Sequence, residues 1–178
     1  MDPNEFDAET LDALAHWPVC EAGYGFTRAV WRDVSLTAAW PHVDPLLRRC
    51  WAQTWLQDQR DVAREDGYDP DDVVEAFTAD RPVHSLWPVF EEVQLASLHG
   101  WVQGVHEWGP TAEHKPVGLD LELVYMVPRP ASGNVVPEGG AWMPLLMRYD
   151  PVAGWRVLNF LAEIVPEPGW PPRLQDAN

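Results

Sequence analysis

Between Gly118 and Leu161 the chain carries three strand-like runs in succession, GLDLELVYMV, AWMPLLMRYD and GWRVLNFLAEI. In each, apolar residues alternate with other types, the period-two pattern of a strand with two unlike faces. Leu119, Leu121, Leu123 and Tyr125 form one face of the first run, and Met143, Leu145, Met147 and Tyr149 one face of the second. The first link, 128–140, is rich in Pro, Gly, Ser and Asn, and the second, 150–154, is a short hairpin connection. Strands joined this closely pair antiparallel. Pro144 has no amide hydrogen to give a ladder, so it is expected at an edge or a bulge.

What precedes the strands reads as helix. Asp7 caps a helix to about His16 along the stripe Leu11, Leu14, Ala15; Pro18 is expected to stop it, and Glu21 to Gly25 to form a loop. From Ser35 to Gln59, Leu36, Trp40, Val43, Leu47 and Cys50 recur at three and four residues. Asp44-Pro45 reads as an N-cap followed by proline at the first helical position, which predicts a short helix, a break, and a helix from Pro45 to about Asp58. Asp69-Pro70 repeats the device, with Val73, Val74 and Phe77 facing a core. The stretch from His84 to His106 fits both periods; the expectation is a helical turn to about Glu92 and a strand from Val93, with Glu107 to Val117 as a loop. Helices first and strands last define an α+β fold, N-terminal helices packed on a curved antiparallel sheet. A chain of 178 residues fits a single domain over 1–178, with 1–6 and 171–178 as loosely tied ends.

Composition removes some function classes. The net charge is −16, which repels nucleic acid and anionic membranes. No apolar run approaches the length of a membrane span. Two cysteines cannot make a disulfide framework, and the opening MDPNEFDAET has no signal-peptide pattern, so a cytoplasmic protein is expected.

With its helical region from Ser35 to Gln59 and its three closing strands, the last opening on Gly154-Trp155-Arg156-Val157, the chain resembles the nuclear transport factor 2-like superfamily, the SnoaL-like or cystatin-like α+β cones. The likeness covers about two thirds of the chain and is architectural. It implies a cone-shaped pocket and a homodimer. The family includes isomerases, dehydratases, cyclases and hydrolases, together with non-catalytic binding and dimerising modules, so no one activity follows.

Three groups of residues could carry chemistry. His99, His106, Glu107 and His114 lie in one segment, but with no HExxH and no closely paired ligands they predict no metal site, and no cofactor is expected. Asp120, Glu122, Arg148 and Asn159 stand on the alternate positions of the strands. A carboxylate turned into the cone is desolvated, which suits a general base, and the Arg148 fork could hold an anion. The same alternation also describes a wet sheet face with no function. The eleven tryptophans are too many to bury completely in one small domain, so some line a pocket or an interface, and Trp170 could strap the body. Cys20 has His16 and His42 as dyad partners only if folding brings them together.

The candidate catalytic residues are therefore Asp120, Glu122 and His99, and the candidate ligand-binding residues Trp55, Trp101, Tyr125, Arg148 and Asn159. The function expected is an aromatic-lined pocket binding a small apolar or aromatic ligand. The alternatives are an acid–base enzyme on an apolar small molecule and a dimeric interaction module. Deep burial of Glu122 or Asp120 beside a histidine would favour the enzyme, an empty apolar cavity the binder, and a filled cone the interaction module.

Overall fold

A computed structural model of the chain describes residues 8–101, 105–129, 142–160 and 163–175. Among the described residues five α-helices come first: α1 (Ala8–Thr27), α2 (Leu36–Ala39), α3 (Pro45–Glu65), α4 (Pro70–Thr78) and α5 (Trp87–Trp101). A π turn, Arg28–Arg32, extends α1, and a 3-10 turn, Trp40–His42, extends α2. Four strands follow: β1 (Trp108–Pro116), β2 (Leu121–Pro128), β3 (Met143–Asp150) and β4 (Gly154–Phe160). They form one antiparallel sheet in the order β1-β2-β3-β4, open at both edges. The fold is α+β, with helices at the N-terminal end and sheet at the C-terminal end. No helix among the described residues is long and apolar enough to cross a membrane.

Two of the three expected caps, Asp44 and Asp69, behave as the sequence indicates; Asp7 lies outside the described residues. The Asp44 carboxylate accepts from the Leu46 amide at 2.8 Å and opens α3; Asp69 accepts from Asp71 at 2.8 Å and opens α4, which buries Val73, Val74 and Phe77. Three expectations fail. Pro18 does not stop α1, and residues 21–25 are helical, not a loop. Proline removes one hydrogen bond and strains one turn, roughly 3 kcal/mol. The turns after it bury Val19, Cys20 and Phe26, which outweighs that loss. The alternation from Val93 to Trp101 is not a strand, because α5 runs through it. Trp87, Phe90 and Leu98 turn inward at helical spacing, while Val93 and Trp101 are exposed. Residues 108–116 are a strand and not a loop. Pro110 and Pro116 are tolerated because β1 is an edge strand, with a register shift between Pro110 and His114. Pro144 sits where the β3–β4 ladder opens, one residue before its first pair, Leu145 with Phe160.

The sheet has two buried faces. Val124, Met126, Met143, Leu145, Met147 and Val157 join the helical core, and Leu123, Leu146 and Leu158 form a smaller cluster on the other side under Leu46, Leu121 and Tyr125. Leu119 is fully exposed, before β2 begins. Between the helices, Trp40, Trp51, Trp55, Phe77, Trp87 and Phe90 pack ring to ring. The buried Arg48 reaches the carbonyls of Trp40 and Thr78 and pairs with Asp80. After β4 the chain returns as a tied tail: Asn159 Nδ2 donates to the carbonyls of Ile164 and Leu174, and Gly169 N donates to the buried Gln53. Of the ends expected to be loose, residues 1–6 and 176–178 lie outside the described residues, while the tie at Leu174 holds part of 171–175.

Candidate functional site

Six polar or charged residues among those described are buried: Thr27, Asp44, Arg48, Gln53, Glu122 and Asn159. Five of them serve the backbone or a cap. Thr27 donates to the Tyr24 carbonyl, Asp44 caps α3, Arg48 holds the carbonyls under Trp40, and Gln53 and Asn159 tie the tail. Glu122 is the exception, because the side chains against its carboxylate are two imidazoles.

The elements that place them are simple. His16, Cys20 and Gly23 stand at i, i+4 and i+7 on α1, one stripe of a helix. At Gly23 a methyl carbon would lie 3.4 Å from Leu145 and 3.5 Å from Val124, so that stripe is pressed onto the sheet. On the sheet, His114 pairs with Val124 and Pro116 with Glu122. Residues two apart on a strand share a face, which puts His114 and Glu122 side by side toward α1.

His16 Nδ1 lies 2.7 Å from Glu122 Oε1, within hydrogen-bond distance. His114 Nδ1 lies 3.0 Å from the same oxygen, at ion-pair distance. The two imidazoles stack, with centroids 3.5 Å apart and planes at 26°. The Glu122 side chain is 7% exposed, against 23% for His16 and 18% for His114. The carboxylate is therefore sealed, while both imidazole side chains stay partly exposed. One turn further along α1, the Cys20 thiol is pushed up by burial and then by the Glu122 charge.

The chemistry of this arrangement follows from the inventory of protons. An ionised carboxylate only accepts, so His16 must present Nδ1–H to it, and its lone pair then stands on Nε2. A buried carboxylate that fixes an imidazole tautomer is the orienting half of a general acid–base pair. His16, His114 and Glu122 also bring three ligand atoms within 4.8 Å of one another, a set that suits zinc-class ions. At Zn–N distances of about 2.0–2.1 Å, two imidazoles on one tetrahedral ion hold their centroids about 5 Å apart. The stacked pair at 3.5 Å would have to splay to admit an ion. The observed geometry is a hydrogen bond from His16 to Glu122 with the His114 ring stacked on the His16 ring, at ion-pair distance from the same oxygen.

The residues singled out in the sequence do not all meet here. Glu122 is at the centre. Asp120 is exposed before β2, and its carbonyl accepts from Tyr149 N. His99 is on α5, with Nε2 2.9 Å from the Val30 carbonyl and its ring against Trp31; no contact among the described residues joins it to Glu122. Arg148 grips Asp44 with two bonds, at 2.6 and 2.8 Å, and is no anion fork for a ligand. Asn159 spends its amide on the tail. Trp55 belongs to the helical core, Trp101 is an exposed helix end, and Tyr125 packs on the other sheet face against Trp142. His16 is not among the candidate catalytic residues read from the sequence, where it enters only as a dyad partner for Cys20. Its signal is the His16, Cys20, Gly23 stripe, which appears only if the helix is carried through Pro18.

Comparison of the chain with protein-family models, with curated proteins and with solved structures finds no match.

Proposed function

We propose that the protein works on a small apolar molecule by proton transfer, with His16 Nε2 as the acid–base group and Glu122 as the carboxylate that orients it. His114, stacked on His16, limits how the ring can turn and adds a second imidazole edge. The observation that carries this reading is a sealed carboxylate between two partly accessible histidines. The site lies on the helix-facing side of an open antiparallel sheet behind N-terminal helices, which is where a cone-type fold of the SnoaL-like kind would hold a substrate. A second reading, a zinc-class centre on the same three residues, is favoured by their mutual approach within 4.8 Å.

Two measurements separate these. Nitrogen-15 spectra of labelled histidine report which ring nitrogen carries the proton. His16 is expected in the Nδ1–H form in the wild type and to lose that preference in Glu122→Gln. Deuterium exchange at the carbon acids of a panel of simple ketones then reads proton transfer directly. The wild type is expected to exceed Glu122→Gln and His16→Asn by about 10²–10⁴-fold. Exchange no faster than that of free imidazole, with an Nε2–H tautomer at His16, would refute the acid–base reading. Stoichiometric zinc uptake, lost in His114→Asn, would replace it with the metal reading.

A further inference from the structure

The far end of the same sheet holds two polar hydrogens with no acceptor. Trp31, in the π turn after α1, is 5% exposed, and Trp108, at the start of β1, is 1% exposed. Their rings meet edge to face, with centroids 5.7 Å apart. Neither indole Nε1–H has a hydrogen-bond partner among the described residues. Elsewhere the fold does satisfy such groups: Trp40 donates to the carbonyls of Phe77 and Ala79, and Trp87 donates to Thr37. Two unmet donors on adjacent rings are therefore a local departure from the way this chain treats its indoles. Buried polar groups are ordinarily bonded, and an unmet one forfeits the hydration it had in the unfolded chain.

The surroundings narrow the chemistry that would meet them. Phe26 and Phe160 flank Trp31 at 6.3 and 6.1 Å, and the His99 ring lies at 6.2 Å with its Nε2 at the Val30 carbonyl. The neighbouring rings are flat and aromatic, and the two donors are uncharged. Neutral donors suit a neutral acceptor, and a net charge of −16 disfavours a carboxylate. We infer that Trp31 and Trp108 form a binding site for the carbonyl oxygen of a flat, neutral, apolar molecule. The site is separate from the histidine–carboxylate cluster. Trp108 pairs with Pro128 and Pro116 with Glu122, so six residue steps along β2, about 20 Å of strand, separate Trp108 from Glu122.

The test uses the whole chain labelled with nitrogen-15 at tryptophan. Trp31→Phe and Trp108→Phe assign the two indole resonances, since each removes one indole N–H and keeps a smaller aromatic ring in its place. Acetophenone is titrated against its hydrocarbon analogue ethylbenzene and against benzoate. Acetophenone is expected to shift both resonances downfield and saturably, and to bind about fivefold or more tightly than ethylbenzene. Each Phe variant is expected to lose about the same factor. Benzoate is expected to bind more weakly than acetophenone. Equal affinity for acetophenone and ethylbenzene would overturn the inference, as would two resonances that never move. So would exchange cross-peaks to a resident water in the free protein, or an upfield shift showing that one N–H already points into the other ring. Should either variant fail to fold, the wild-type comparison of ketone with hydrocarbon still decides.

Discussion

Asp44 and Arg148 test whether the sequence or the tertiary structure assigned Arg148 correctly. The Asp44 side chain is 3% exposed and Arg148 29%. Asp44 accepts from Arg148 Nε at 2.8 Å and Nη2 at 2.6 Å, and from Leu46 N at 2.8 Å. Asp44→Ala removes a helix cap, about 1 kcal/mol. It also strips the partner from a guanidinium that is only partly buried. Breaking a fully buried pair costs about 3–5 kcal/mol; because Arg148 can turn toward water, about 2 is the reasonable share. The expected loss is about 3 kcal/mol, or a Tm lower by about 6–12 °C for a chain of this size. Asp44→Asn keeps the cap and should lose about 2 kcal/mol, so the difference between the two variants isolates the cap. Arg148→Met leaves a sealed carboxylate whose remaining support is one amide and the positive end of α3, and is expected to lose about 2–3 kcal/mol. The double variant Asp44→Asn with Arg148→Met should lose less than the two singles together, by about 1–3 kcal/mol of coupling. Urea denaturation with a shared slope measures all four. Singles that add within about 0.5 kcal/mol, or an Arg148→Met protein as stable as the wild type, would refute the structural role and return Arg148 to the ligand.

Three further outcomes are expected. Burial pushes the Cys50 thiol up to about 12 and raises Cys20 as well, so a disulfide reagent at pH 8 should label neither in the folded protein and both in urea; rapid labelling of folded protein would contradict the packing of α1 and α3. Asp80 is held below the usual carboxylate range, chiefly by the hydrogen bond from Arg48, with Arg156 assisting. Its folded form resists protonation, so the stability it contributes is present above about pH 4 and is lost as pH falls through the lower folded value. Asp80→Asn should flatten the acid limb of the urea midpoint against pH, and an unchanged limb would count against the pairing. Asn159→Ala removes the two bonds to Ile164 and Leu174 and one to Phe160 N. It should lose about 2 kcal/mol and speed tryptic cleavage at Arg173, whereas an equally resistant tail would show that other contacts hold it.

Much of this was legible before any coordinates. Asp44-Pro45 and Asp69-Pro70 announce their helices because a cap is a local device, complete within three residues. The three closing strands are legible for the same reason, since alternation needs only the strand itself. Pro18 misled because its local penalty is real while the burial that overrides it is not local. The alternation through Val93 misled in the opposite sense, because a 3.6-residue period sampled over a few positions can imitate a period of two. Residues 108–116 looked like a loop because their prolines and glycine are breakers anywhere except on an edge strand.

By itself, then, the sequence determined the class of fold, the order of its parts, the capped helices and the presence of Glu122 on a strand. Only the tertiary structure decided what stands beside that carboxylate. His16 is far in the chain from His114 and Glu122, and its meeting with them depends on α1 running unbroken across the sheet and on the β1–β2 register that puts His114 and Glu122 on one face. The same is true of Trp31 and Trp108. Periodicity tells which face a residue takes within its own element. Which faces meet is decided by long-range packing, and chemistry between distant residues is decided there with it.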